Sequence, residues 1–318
     1  MNHTNGFRPI FVVGPERSGT TLLAALIDRH SQVAVTPETH FLYPHTMLKL
    51  APATGRGHAA FVDVLFQCER IPDLGLDRQD VLRTFQQYPA ERPYLFRALL
   101  ETYKEYRAKP RVGEKSPHHL MNVATIFEWF PEARVVAILR DGRDCMRSLR
   151  DTPWAHDNLR LHATVWRQCA ELTRQWLRQY PRRFALVYYE NLVCEPETNI
   201  RTLDDFLNLD FEPAQLDPSI QTGVVPDWES DWKGKVDKAL DPSKIGQWRG
   251  AFTQEEKWLM TSVMADELRR HGYAEVSLHG CPLPKRAMHH TLNCYYRLRH
   301  TSPTAVVLKA IRHNKRQP

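Results

Sequence analysis

No apolar run among the 318 residues approaches the ~20 that a membrane-spanning helix requires. Phe7 to Val13 is short, lacks a small-residue cleavage site and runs directly into a glycine loop, so no secretory leader is expected there. Cysteine is sparse: Cys68, Cys145, Cys169, Cys194, Cys281 and Cys294 are scattered, with no Cys-x-x-Cys pair. That pattern argues against a disulfide framework or a zinc site and for reduced thiols in a cytoplasmic protein. Internal repeats and low-complexity tracts are missing as well. What remains, 42% hydrophobic and 25% charged, is ordinary globular composition, enough for one large α/β domain or two small ones.

Acidic residues disappear after Glu275, while Lys285, Arg286, Arg297, Arg299, Lys309, Arg312, Lys315 and Arg316 follow it. The formal charge of +6 therefore divides into +8 for the tail and −2 for the first 275 residues. This asymmetry suggests a domain over residues 1–275 and a basic extension over 276–318. Two readings of the extension stay open: a solvated segment, or a peripheral contact with an anionic membrane. The second draws on Leu292 to Arg312, where Tyr295, Tyr296, Val306, Val307, Leu308 and Ile311 stand among cations. No recognition module accompanies the charge, so nucleic acid is not expected as a partner.

Short apolar runs rich in β-branched residues alternate with helical patterns. Strands are expected at Pro9–Val13, Val33–Val35, Arg111–Gly113, Arg134–Leu139 and Phe184–Tyr188. Helices are expected after the first strand, at Arg143–Leu149, and at His118–Trp129, Leu159–Gln179, Glu197–Leu207 and Gln254–His271. Alternating strands and helices imply an α/β fold with a central parallel β-sheet flanked by helices on both faces. Pro44–Pro110 reads as an insertion of broken helical pieces that shapes a cleft. Trp228–Gly250, poor in apolar periodicity, reads as a long functional loop.

The most informative absence is a single lysine. In Ile10–Leu26, IFVVGPERSGTTLLAAL, glycines at 14 and 19 have the spacing of a phosphate-binding loop. Thr20 stands where the lysine of a nucleotide loop belongs. Backbone N–H groups and the helix dipole would still attract an anion, with Arg17, Ser18, Gly19, Thr20 and Thr21 as ligands. A helix N-cap explains one hydroxyl but not the whole set. Without the lysine and without a Walker-B acid, ATP or GTP with magnesium is disfavoured. The expected ligand is an anion held without an obligatory metal.

Here the chain resembles a family. PERSGTTLL is similar to the 5′-phosphosulfate loop of sulfotransferases, which use 3′-phosphoadenosine 5′-phosphosulfate (PAPS) as donor. Arg140–Ser148, RDGRDCMRS, resembles the family's 3′-phosphate segment, which implies that Arg140 and Ser148 hold that phosphate. Eight residues of continuous helix would separate them by ~12 Å, so a bend at Asp141-Gly142 is required. VYYENLV resembles the strand and turn whose tyrosine lies near the adenine, which implies that role for Tyr189. IGQWRGAFT resembles the stretch that closes over the nucleotide, but its usual Arg-Lys-Gly is replaced by Asp241-Pro242-Ser243. Lys238, Lys244 and Arg249 are the candidates for the missing cation. The implied fold is the three-layer, P-loop-like sulfotransferase fold.

Sulfuryl transfer needs alignment, a base for the acceptor proton and a cation near the departing phosphate. Glu38-Thr39-His40-Phe41 resembles the Glu-x-His-Phe arrangement of Golgi-type carbohydrate sulfotransferases, and Glu38 also matches the base of tyrosylprotein sulfotransferases. The resemblance implies Glu38 as base, His40 as its orienter, and Lys115 with Arg17 on the transferring sulfate. It points to a soluble, bacterial-type member acting on a hydroxyl of a peptide, carbohydrate or lipid. A degenerate P-loop small-molecule kinase and a non-catalytic nucleotide-binding module are the alternatives.

Overall fold

The computed structural model describes residues 6–152, 155, 157–229, 238–273, 278 and 280–299. Among them, β1 (Ile10–Val13), β2 (Val33–Thr36), β3 (Arg111–Lys115), β4 (Arg134–Leu139) and β5 (Phe184–Tyr188) form one sheet. All neighbours are parallel, in the order β2-β3-β1-β4-β5. The five expected strands are present within two residues. β3 runs on to Lys115, so that lysine is the strand's last residue.

Period-two alternation sends successive strand residues to opposite faces. Phe11, Val13, Val135 and Ala137 enter one core with Phe41, Phe96, Leu99 and Trp176. Ile10, Val12, Val136 and Ile138 enter the other with Leu23 and Ile27 of α1 (Thr20–Asp28) and with Ile200 and Leu203. The sheet is thus covered on both faces, which is why β1 and the buried part of β4 read as unbroken apolar runs. The expected three-layer α/β architecture is what the chain adopts.

Pro44–Pro110 does more than shape a cleft. After α2 (Pro44–Leu50), α3 (His58–Phe66) and α4 (Arg78–Phe85), α5 (Arg92–Tyr106) lies on the sheet as part of the main core. Phe96 of α5 stacks on Phe41 at 4.1 Å between ring centroids. The helix expected from His118 starts as a 3-10 turn over Pro117–Asn122 and becomes α6 (Val123–Trp129) only afterwards.

Beyond β4 come α7 (Gly142–Leu149) and α8 (Leu159–Gln179); after β5 come α9 (Tyr189–Cys194) and α10 (Pro196–Leu207). Trp228–Gly250 contains a 3-10 turn at Pro242–Lys244 and leads into α11 (Trp248–Ala251); residues 230–237 lie outside the described set. α12 (Gln254–Arg270) starts with a capping box between Thr253 and Glu256. The basic extension begins as α13 (Leu283–Arg299), docked on the domain. Arg160 donates to His289 Nδ1 at 2.6 Å, and Asn293 donates to the Ser262 carbonyl at 2.7 Å. Val306, Val307, Leu308, Ile311 and the last four cations lie outside the described residues. No helix among the described residues is long and apolar enough to cross a membrane.

Candidate active site

In the strand order, β1 leads to β2 on one side while its neighbour β3 leads to β4 on the other, so the connections from these two adjacent strands run opposite ways. Open parallel sheets form a ligand crevice at such a switch, beyond the C-terminal strand ends. A cleft of about 990 Å³ lies there. Arg17 and Thr20 line it after β1, Glu38 after β2, His118 after β3, Arg140 after β4 and Tyr189 after β5.

The loop after β1 is held open by its own backbone. At Gly14, with φ +153°, a Cβ would stand 2.4 Å from the Ile138 carbonyl oxygen. At Gly19, with φ +103°, a Cβ would stand 2.8 Å from the Tyr189 ring. Neither position admits a side chain. Buried Ser18 turns its hydroxyl inward to the Pro15 carbonyl at 2.7 Å, so it braces the loop. Among the described residues no side chain caps α1, whose N-cap is Gly19. The first N–H groups of a helix lack carbonyl partners within it. Those of Thr20, Thr21 and Leu22 belong to residues lining the cleft, which favours anion binding over simple capping.

Arg17 has the left-handed φ of +63° and donates from Nε to Ser148 Oγ at 3.1 Å. Burial pushes its guanidinium below the ordinary arginine value, outweighing the opposing effect of Glu16. Arg140 lies 4.3 Å from the Tyr189 ring centre and donates to the Lys244 carbonyl at 2.7 Å. Its buried Nε has no hydrogen-bond partner among the described residues. Arg140 and Ser148 line the same cleft, because β4 ends at Leu139 and α7 starts at Gly142, leaving the bend that eight residues require.

The acids of RDGRD have work of their own. Asp141 takes Arg143 in two side-chain bonds of 2.9 and 2.6 Å, and Arg143 lies 3.9 Å from the Trp248 ring centre. Asp144 accepts from the Gly246 and Trp248 N–H groups at 2.7 and 2.9 Å. Burial raises the Asp144 carboxyl more than these bonds lower it. Together they pin the turn before α11 to the cleft wall. Of the three candidate cations, Lys238 and Lys244 line the cleft, and Lys244 Nζ stands 3.6 Å from Asp241. Arg249 is exposed on α11, 5.0 Å from the Trp248 ring centre, and does not line the cleft.

On the opposite wall, Pro37 follows the last residue of β2 and the chain turns inward. Glu38 Oε1 accepts from Lys115 Nζ at 2.9 Å, and Oε2 meets His40 Nε2 at 2.9 Å. Lys115 is fully buried behind the carboxylate. His40 has φ +51°, and its ring stacks on Tyr43 with centroids 4.0 Å apart. Burial, only partly opposed by Glu38, lowers the His40 pKa, so the neutral ring donates to the carboxylate.

Behind this trio, Glu114 is fully buried and accepts from Ser116 Oγ at 2.5 Å and Thr39 Oγ1 at 2.7 Å. His119 Nδ1 meets it at 2.9 Å. The Leu42 N–H donates to His119 Nε2 at 3.1 Å, which makes Nδ1 the protonated nitrogen. Burial alone would raise the Glu114 pKa, but His119 and the hydroxyls pull it below the usual value. This network, which fixes the Glu38–His40 turn, went unread in the sequence. So did Tyr43, and Arg70, whose guanidinium pairs with Glu229 at 3.2 Å. The run of polar residues Glu114-Lys115-Ser116 ahead of His118-His119 was its one visible trace.

The sulfotransferase family model matches residues 9–213. The chain belongs to the sulfotransferase family. Protein-tyrosine sulfotransferase A of Caenorhabditis elegans is 25% identical over 280 residues, covering 86% of this chain and 68% of the relative. Protein-tyrosine sulfotransferase of Drosophila melanogaster is 27% identical over 213 residues, covering 65% of this chain but only 39% of the relative. Among solved structures, the sulfotransferase domain from the curacin biosynthetic pathway superposes with a TM-score of 0.60 at 20% identity. It covers 85% of this chain and 99% of that domain. The sulfotransferase domain of the Synechococcus PCC 7002 olefin synthase gives 0.61 at 18% identity, over 86% and 98% of the two chains. These likenesses establish the fold that this sulfotransferase shares.

Proposed function

We propose that this sulfotransferase moves the sulfuryl group of PAPS to an acceptor hydroxyl. Glu38 serves as general base, and Lys115 and Arg17 stabilise charge on the transferring group and the departing phosphate. The observation that carries the reading is the Glu38 carboxylate in the same cleft as the lysine-free loop, clamped at 2.9 Å by Lys115 and at 2.9 Å by His40. The donor's phosphates fit what the other wall offers: the start of α1, Arg17 with Ser148, and the unpartnered Nε of Arg140. Tyr189 is the ring beside which the adenine would lie.

In the reaction the acceptor oxygen attacks sulfur and passes its proton to Glu38, while the sulfur–oxygen bond to the phosphate breaks and its electron pair stays on the phosphate. Protonating Glu38 removes the negative charge that holds Lys115, and the ammonium charge then serves the departing phosphate. The acceptor end has ring-bearing walls in Tyr43, His45 and Trp228. Together with the names of the nematode and fly relatives, these favour a peptide tyrosine over a carbohydrate or lipid hydroxyl.

Incubation with sulfur-labelled PAPS and a tyrosine peptide, an oligosaccharide and a lipid glycan in parallel tests this. Label is expected on the peptide phenol, with turnover ~10²–10³ lower for Glu38→Gln. Equal transfer by Glu38→Gln would remove the base from the mechanism.

A further inference from the structure

A second cavity, of about 780 Å³, opens at the opposite, N-terminal edge of the sheet. Four neighbouring strands each bring an arginine to it just where they begin. Arg111 is the first residue of β3, Arg134 the first of β4, Arg183 directly precedes β5, and Arg8 stands two residues before β1. In sheet order they run Arg111, Arg8, Arg134, Arg183. The strand beginnings are tied together by backbone bonds from Arg134 N to the Pro9 carbonyl at 3.0 Å and from Val135 N to the Arg183 carbonyl at 2.8 Å. Adjacent strands lie ~4.8 Å apart, so the row spans ~14 Å. Arg182 and Lys104 also line the cavity.

Two carboxylates share it, and each is already engaged. Glu132 takes Arg8 at 2.7 Å and the Gly6 N–H at 2.6 Å, while Glu101 takes Arg97 at 3.0 Å. Among the described residues, no carboxylate lies within ion-pair distance of Arg111, Arg134, Arg182, Arg183 or Lys104. Arg111 uses its guanidinium on the Leu207 and Asn208 carbonyls at 2.9 and 3.3 Å. Burial, then repulsion from Arg134 and Arg8, pushes Arg111 below the ordinary arginine value; burial and Arg8 do the same to Arg134. Half-buried Arg111, Arg134 and Arg183 beside exposed Arg8, with the cavity's carboxylates already engaged, make a site that an anion would stabilise.

The geometry points to a second anion site on this protein, built for a small multivalent oxyanion such as an oligophosphate or an oligosulfate ester. It faces away from the cleft and is independent of the reaction proposed for it. A single monovalent anion would neutralise one member of the row, whereas linked oxyanions answer several guanidinium groups together and with two hydrogen bonds each.

Arginine modification by phenylglyoxal, read by peptide mass spectrometry on the full chain, tests the site. Inorganic tripolyphosphate is the probe, and chloride at matched ionic strength is the control. Protection of Arg111 and Arg134 by at least fivefold, alongside any protection of Arg17 and Arg140 in the cleft, is the expected result. Protection confined to Arg17 and Arg140, or equal protection by chloride, would overturn the proposal. Calorimetry gives a second reading. Arg111→Gln with Arg134→Gln should remove one class of tripolyphosphate sites, weakening it at least tenfold. Should that pair fail to fold, Arg182→Gln on the exposed rim should weaken the same class threefold or more. Unchanged binding in the folded variant would also overturn the site.

Discussion

Glu38 and Lys115 form a pair whose two members cannot be altered independently. Lys115 has no exposed surface, and its ammonium faces the carboxylate at 2.9 Å. Removing one partner of such a pair leaves a buried charge uncompensated, at a cost of about 3–5 kcal/mol, while replacing both with neutral groups can be nearly free. Lys115→Ala is therefore expected to lower turnover ~10²–10³ and to lower Tm as well. Glu38→Gln combined with Lys115→Met should recover most of that Tm and remain inactive. A double variant that regained activity would show the pair to be structural. Gly19→Ala tests the loop at one atom. The left-handed backbone costs a non-glycine residue about 1–2 kcal/mol, and the added methyl would stand 2.8 Å from Tyr189. A lower Tm and weaker binding of the donor's product, adenosine 3′,5′-bisphosphate, are expected together in thermal-shift titrations. At this scale the meeting of Glu38, His40 and Lys115 was legible because local motif and strand-end position coincide. The reason for Gly19 was only half legible: the ring it must clear comes from another strand's end.

The elements show the same division. β1 and β4 could be read because burial on both faces leaves a continuous apolar run, and α8 because its periodicity is unbroken over Leu159–Gln179. α5 hid among Pro and Gly breaks, although Phe96, Leu99 and Tyr103 on one of its faces are core. In RDGRD the arginine drew notice, while its acids do the bracing. Asp144 alone holds the Gly246 and Trp248 N–H groups. A hydrogen bond to a charged acceptor contributes about 1.5–3 kcal/mol, so losing both frees the turn that carries Lys244 along the cleft. Asp144→Ala is expected to weaken adenosine 3′,5′-bisphosphate binding about tenfold or more by calorimetry, with the core intact by circular dichroism. Unaltered affinity would mean that this turn does not close on the nucleotide.

Across the whole molecule, two clefts lie at opposite ends of one sheet, an arginine-lined one where the strands begin and one of mixed charge where they end. The active-site end gathers loops from all five strands, and no one of them read alone would reveal it. The basic tail was legible as charge, but its docking through His289 and Asn293 was not, since Arg160 lies far away in sequence. Stability should carry its own pH signature. Burial pushes the Asp204 carboxyl from 3.8 to about 6, so the folded state holds that proton more tightly than the unfolded state. Stability then falls as pH rises between 3.8 and about 6, and Asp204→Asn should flatten that part of a Tm–pH curve. The central claim is that the lysine-free loop, with Arg17, Arg140 and Ser148, grips the phosphates of a sulfuryl donor and needs no magnesium to do so. Calorimetry in a chelating buffer tests it most directly. Adenosine 3′,5′-bisphosphate should bind in the cleft and lose at least tenfold in affinity on Arg17→Ala. Binding of magnesium ATP in its place, with the bisphosphate ignored, would contradict the account.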